Sequence, residues 1–155
     1  MTTVTITIDN VLKDMRIKSS IEAARIADPD LRYAVEMGTD KDDEVRQCLQ
    51  EAHASLVGRV RRFLAESPDA AGSDDLLRGE SYEYKFDITS RRSSNIGVPL
   101  ADGIHSYLVS RTMQKYYLST GQTEQAAARG AEAERSAAEV ERILTTKLTP
   151  RYGNN

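Results

Sequence analysis

Two short stretches of the chain alternate apolar and polar residues with a period of two. In residues 3–8 the apolar positions alternate with threonines, and in residues 81–89 they alternate with charged or polar residues. A period of two with β-branched and aromatic residues predicts strands. The apolar face of the two strands comprises Val4, Ile6 and Ile8 in the first and Tyr82, Tyr84, Phe86 and Ile88 in the second.

Almost all of the remaining pattern repeats every three or four residues and predicts helices. Asp9 or Asn10 is expected to cap a first short helix, and the capping-box pair Ser19 and Glu22 a second that runs to Ala27. A long helix is predicted to begin at Thr39 with acidic residues in its first turn. It places one apolar stripe toward one neighbour, and the stripe consists of Val45, Leu49, Ala52, Leu56, Val60 and Phe63.

The next predicted helix runs from Pro99 to Thr120 and is apolar on two sides, which is typical of a helix packed between neighbours. A loop is expected at 90–98 before it, because that stretch is rich in Ser, Asn and Gly. A last helix over 122–148 has mainly small residues in its first half, which permits close packing. The tail 149–155 has no pattern. The chain is therefore predicted to form a single, mainly α domain over 1–155, a small helical bundle with a minor β element.

The two predicted strands must find hydrogen-bond partners for their backbones. They can pair with each other, but an isolated two-stranded pair is marginal in water. Each can also add to a strand of a neighbouring subunit. Because both strands have an apolar face and the helical domain is small, we expect at least one pairing between subunits. The predicted protein interface comprises the seven apolar strand residues together with Arg91 and Arg92 in the following loop.

Composition favours a protein that acts by binding. The chain of 155 residues is 39% hydrophobic and 29% charged, with a net charge of −3 and no Trp. This charge argues against a strongly basic nucleic-acid binder. No signal peptide and no apolar run of the ~20 residues needed to cross a bilayer is present, so we expect no membrane association and a protein made in the cytoplasm.

No catalytic or metal-binding pattern stands out in the sequence. Two histidines, His53 and His105, and one cysteine, Cys48, lie at helical spacing among mixed neighbours, which favours structural roles. The acidic run 40–44 lacks the twelve-residue loop of a calcium site, and no glycine-rich phosphate loop is present. We therefore expect no enzymatic activity, no metal and no cofactor.

Several local phrases resemble the head–tail connector proteins (adaptor or neck proteins) of tailed bacteriophages, especially those of Bacteroidota phages. An early segment IDNVLKDMRIKSSIEAAR precedes an acidic-capped helix, DKDDEVRQCLQEAHASLVGRV. The strand YEYKFDI and the helix LADGIHSYLVSRTMQKYYLST follow, and a charged helix ends in ILTTKLTPR. Many of these proteins have Trp where this chain has Tyr116 or Tyr117, and the N-terminal TVTITID strand departs from the pattern.

The resemblance implies a mainly helical subunit of a homo-oligomeric ring, commonly of twelve subunits, located in the virion at the capsid vertex. One face would bind the portal protein and the other the next neck or tail protein. DNA would pass through the lumen without specific binding. Such rings have no enzymatic activity.

Two other functions are compatible with the sequence. One is a small regulatory protein-binding module that uses residues 82–95 as its contact surface. The other is a nucleic-acid-binding protein that uses basic residues, namely Arg59, Arg61, Arg62, Arg91 and Arg92.

Overall fold

The computed structural model describes residues 2–65, 80–88 and 90–146. Five α-helices and one two-stranded antiparallel sheet make up the regular structure of these residues, apart from two short 3-10 turns, Thr39–Lys41 and Arg61–Phe63. This confirms the predicted mainly α bundle with a minor β element. In chain order the elements are β1 (Thr2–Thr7), α1 (Ile8–Ala24), α2 (Pro29–Val35), α3 (Asp42–Val60), β2 (Ser81–Phe86), α4 (Ser90–Ser119) and α5 (Thr123–Thr145).

The two strands pair with each other. Their antiparallel register places Val4 opposite Tyr84 and Ile6 opposite Tyr82. The two strands are therefore hydrogen-bonded to each other within one chain, and not through the expected pairing between subunits. Helices α1 and α4 lie against the pair and make the marginal sheet part of a larger core.

The segment predicted as two short helices is the single helix α1. Ser19 does not cap a helix: it is buried inside α1, donates a hydrogen bond to the carbonyl of Arg16 and accepts one from the backbone N–H of Met37. The local capping-box pattern was misleading because the serine instead satisfies a buried backbone group of the following segment. This bond fixes the chain after α2 against α1.

Helix α4 is the centre of the domain, as its two apolar faces predict. It packs against α5, α3, α1 and β1, and both faces are buried; for example, Ile104 and Met113 are fully buried. The expected loop at 90–98 is wrong, because α4 begins at Ser90 and contains Pro99 in its interior. Ile96 packs against the core, and this tertiary contact outweighs the weak helix propensity of the segment.

The small residues of α5 permit the predicted close packing against α4. Ala126, Ala133 and Ala137 are buried, and Gly130 lies where a Cβ would come within 2.5 Å of the side-chain amide of Gln114. On α4, a Cβ at Gly103 would lie 2.8 Å from a methyl group of Val140. Predicted to reach 148, the helix ends at Thr145, and the tail 149–155 lies outside the described residues.

Candidate interaction surfaces

The apolar residues predicted as a protein interface belong to the core of their own chain. None of the seven is more than 6% exposed, and Tyr84 and Phe86 are fully buried. They are buried because both strands turn the same face toward the helices. Arg91 and Arg92 lie in the first turn of α4, and their side chains are outside the described part of the chain. The structure therefore brings the strand residues together, but not on a surface.

A buried histidine explains how two tyrosines fit into this core. His53 of α3 lies parallel to the ring of Tyr82, with ring centroids 4.0 Å apart, and its Nδ1 is 2.6 Å from the hydroxyl oxygen of Tyr84. Burial lowers the pKa of His53 to about 4, so the ring is neutral at neutral pH. Burial also raises the pKa of Tyr82 to about 12 and that of Tyr84 well above its ordinary value. The neutral pair satisfies two polar groups of the core.

The two outer edges of the sheet differ in whether another segment of the chain forms hydrogen bonds with them. Ile8 donates its backbone N–H to the carbonyl of Glu80, 2.9 Å away, so the even-numbered residues of β1 face β2 in the hydrogen-bond ladder. The backbone groups of Thr3, Thr5 and Thr7 therefore point away from β2. Within the described residues, no hydrogen bond to another backbone group reaches this side of Thr3 or Thr5. We call these backbone groups and their exposed side chains the β1 edge.

Residues 63–65 cover the other edge of the sheet. Ala65 donates its backbone N–H to the carbonyl of Lys85 at 2.8 Å, and Asp87 donates to the carbonyl of Phe63 at 2.9 Å. Leu64 forms an isolated bridge with Phe86. The fold thus protects the β2 side of the sheet with its own chain.

An apolar ridge lies on the outer side of α1. Ile17 and Ile21 are one helical turn apart and expose 59% and 53% of their surface. They border a groove of about 490 Å³ between α1 and residues 36–39, whose floor includes the buried Met37. Arg16, which lines the groove, forms an ion pair with Asp42, with 2.7 Å between its Nη2 and the Oδ1 of the aspartate. We call Ile17, Ile21 and this groove the α1 ridge. The sequence analysis did not predict this surface, because the exposure of the two isoleucines depends on where α2 packs.

The basic residues of α3 and α4 that the structure describes are engaged with carboxylates. Arg59 contacts Glu134 at 2.9 Å and Glu141 at 2.8 Å, and Arg111 also binds Glu134. These hydrogen bonds lower the pKa of the Glu134 carboxyl. The three helices α3, α4 and α5 are tied together by this network. Arg59 is therefore not available to nucleic-acid phosphates without losing two partners.

The described residues contain no cluster of side chains with the composition of a metal site. No group of three His, Cys, Asp or Glu side chains in them could hold a metal ion, and none of their helices is long and apolar enough to cross a membrane. Burial raises the pKa of the Cys48 thiol, which disfavours its reactive thiolate. No family model, curated protein or solved structure matches the chain.

Proposed function

We propose that the protein is a structural subunit of a bacteriophage head–tail connector. In this function, copies of the chain form a ring, commonly of twelve, between the portal and the next neck or tail protein, and DNA passes through its lumen. Two observations support the proposal. The local sequence phrases resemble those of connector proteins, and the chain folds into a mainly helical bundle in which these phrases form successive elements. The chain would be made in the host cytoplasm and act in the virion.

The observation that supports a binding role most directly is the α1 ridge. Single exposed hydrophobic residues are common on protein surfaces, but two isoleucines one turn apart beside a groove form a continuous apolar surface. Because each isoleucine is already about half covered, burial of the rest at an interface is favourable by about 1–1.5 kcal/mol each. We infer that the ridge contacts a neighbouring subunit or the portal.

A regulatory protein-binding module is the alternative that the same ridge supports. Such a module would be a monomer or dimer that does not bind the portal, whereas a connector must bind it. A nucleic-acid-binding function has less support, because Arg59 is shared between two carboxylates. Its binding would weaken steeply as salt rises.

The test is cosedimentation of the protein with portal assemblies from its own genome neighbourhood. Wild type is compared with the double variant Ile17→Asp, Ile21→Asp and with the matched control Leu118→Asp, which changes a residue of α4 that is 56% exposed. We expect wild type and the control to bind and the ridge variant to lose binding at least about tenfold, since charge enters an apolar contact. All three should keep the helical circular dichroism of the wild type.

Equal binding of the ridge variant would remove the ridge from the interface. Wild-type protein that does not bind the portal at all would contradict the connector function itself.

A further inference from the structure

The β1 edge combines features that favour pairing with another strand. Its outward backbone groups are the N–H groups of Thr3, Thr5 and Thr7 and the carbonyls of Thr3 and Thr5, while the carbonyl of Thr7 begins helix α1 as its N-cap. Charged side chains, prolines and bulges are the usual means by which proteins prevent such edges from pairing. The stretch Thr2–Thr7, TTVTIT, contains no charge and no proline. The other edge of the same sheet is covered by residues 63–65.

We propose that the β1 edge pairs with the β1 edge of a second copy, antiparallel, about a two-fold axis through Thr5. The result is a four-stranded sheet with the order β2, β1, β1 of the second copy and β2 of the second copy. This inference does not depend on the connector function, since it concerns two copies of the chain in solution.

A register centred on Thr5 overlaps residues 3–7 of both copies and is the one we propose. With Thr5 opposite Thr5 of the second copy, each Thr5 N–H donates to the other carbonyl. Thr7 then lies opposite Thr3 of the second copy, and each Thr7 N–H donates to a Thr3 carbonyl. Four hydrogen bonds form, and both free carbonyls of each copy are used. The Thr7 carbonyl has a second lone pair for the Thr3 N–H.

The side chains fit the same register. Threonines occupy all three outward positions, and all three are exposed on the solvent face. Antiparallel pairing brings threonine opposite threonine, a β-branched pair that is favourable across strands, and places no like charges together. The edge is therefore complementary to itself, and a second copy supplies a strand with the matching side chains.

Charge substitutions at Thr5 test the two-fold axis, because only this residue faces its own copy. We expect Thr5→Lys alone and Thr5→Glu alone to be monomeric, since like charges lie opposite each other, and their mixture to form a heterodimer. Thr5→Val is the matched control and should dimerise like the wild type. Sedimentation velocity over a concentration series measures each mass.

Thr5→Pro tests the backbone directly. It removes an N–H that points outward and leaves the β1–β2 ladder intact, and proline is tolerated at such edge positions. We expect the dimer dissociation constant to rise about tenfold or more, because the two central hydrogen bonds between the copies are lost. Hydrogen exchange gives a second measurement: the Thr5 amide of the wild type should become more protected as concentration rises, while the Val4 and Ile6 amides stay protected throughout.

A wild-type protein that remains monomeric across the series, with a Thr5 amide that exchanges equally fast at every concentration, overturns the proposal. So does a dimer that Thr5→Lys leaves unchanged, or an open series of larger oligomers, which two-fold pairing cannot produce. Portal binding is measured separately, so failure of the dimer and failure of the connector function are distinguishable.

Discussion

Protonation of His53 should make the protein less stable at mildly acidic pH. The ring is 5% exposed, lies against Tyr82 and is joined to the hydroxyl of Tyr84 at 2.6 Å. Burial lowers its pKa from 6.5 to about 4. The folded chain therefore resists a proton that the unfolded chain accepts below pH 6.5, and the loss of stability occurs as pH falls from 6.5 toward 4.

The size of the effect follows from the two pKa values. Each pH unit within that window lowers the free energy of unfolding by about 1.4 kcal/mol, so the whole window is worth about 3 kcal/mol. Between pH 7 and pH 5 the expected loss from His53 alone is about 2 kcal/mol. Such a loss is a large fraction of the stability of a typical domain.

Urea unfolding of wild type and His53→Gln, followed by far-ultraviolet circular dichroism, isolates this contribution. Glutamine can still bond to the hydroxyl of Tyr84 but takes up no proton, so other acidic and basic groups contribute equally to both proteins. We expect the variant to be less stable at pH 7 and the difference to shrink by about 2 kcal/mol at pH 5. Stabilities that fall in parallel between these two pH values would refute the reasoning.

Two further predictions concern how the helices pack. Gly103→Ala should lower the free energy of unfolding by about 1–3 kcal/mol, because the new Cβ would lie 2.8 Å from a Val140 methyl group; Gly58→Ala, which meets nothing within 4 Å, should instead add about 0.5–1 kcal/mol. Equal effects in urea unfolding would show that α4 and α5 are not in tight contact. Arg129→Met should cost about 3 kcal/mol in the same measurement, since it removes the cationic partner of the partly buried Glu22 carboxylate of α1, which keeps only its hydrogen bond from the Tyr117 hydroxyl. The double variant with Glu22→Leu should recover part of that loss, because no unpaired carboxylate remains although the Tyr117 hydroxyl loses its acceptor. A double variant as unstable as the single one would contradict the assignment.

Local patterns in the sequence predicted the elements better than their connections. Alternating β-branched residues in the first strand and aromatic residues in the second placed both strands within a few residues of their observed bounds. Their pairing could not be predicted, because Val4 and Tyr84 are far apart in sequence and several helices fold between them. Two local signals were misleading for the same reason: Ser19 resembles a cap and Pro99 a helix start, but tertiary contacts place both inside helices.

The candidate surfaces were even harder to predict from the sequence, because they exist only in the assembled fold. The sequence identified the apolar strand residues correctly as a set but assigned them to a partner, whereas the helices of the same chain cover them. The β1 edge becomes recognisable only once the hydrogen-bond register is known. The α1 ridge depends on the position of α2 and the chain after it.

The measurement that tests the connector function most directly is the mass of the complex between this protein and the portal of its own genome neighbourhood. Light scattering is recorded on each component alone and on the mixture. The proposed function predicts a complex heavier than the portal by a full ring of subunits, commonly twelve. A mixture in which the protein keeps its own mass and the portal gains none would contradict it.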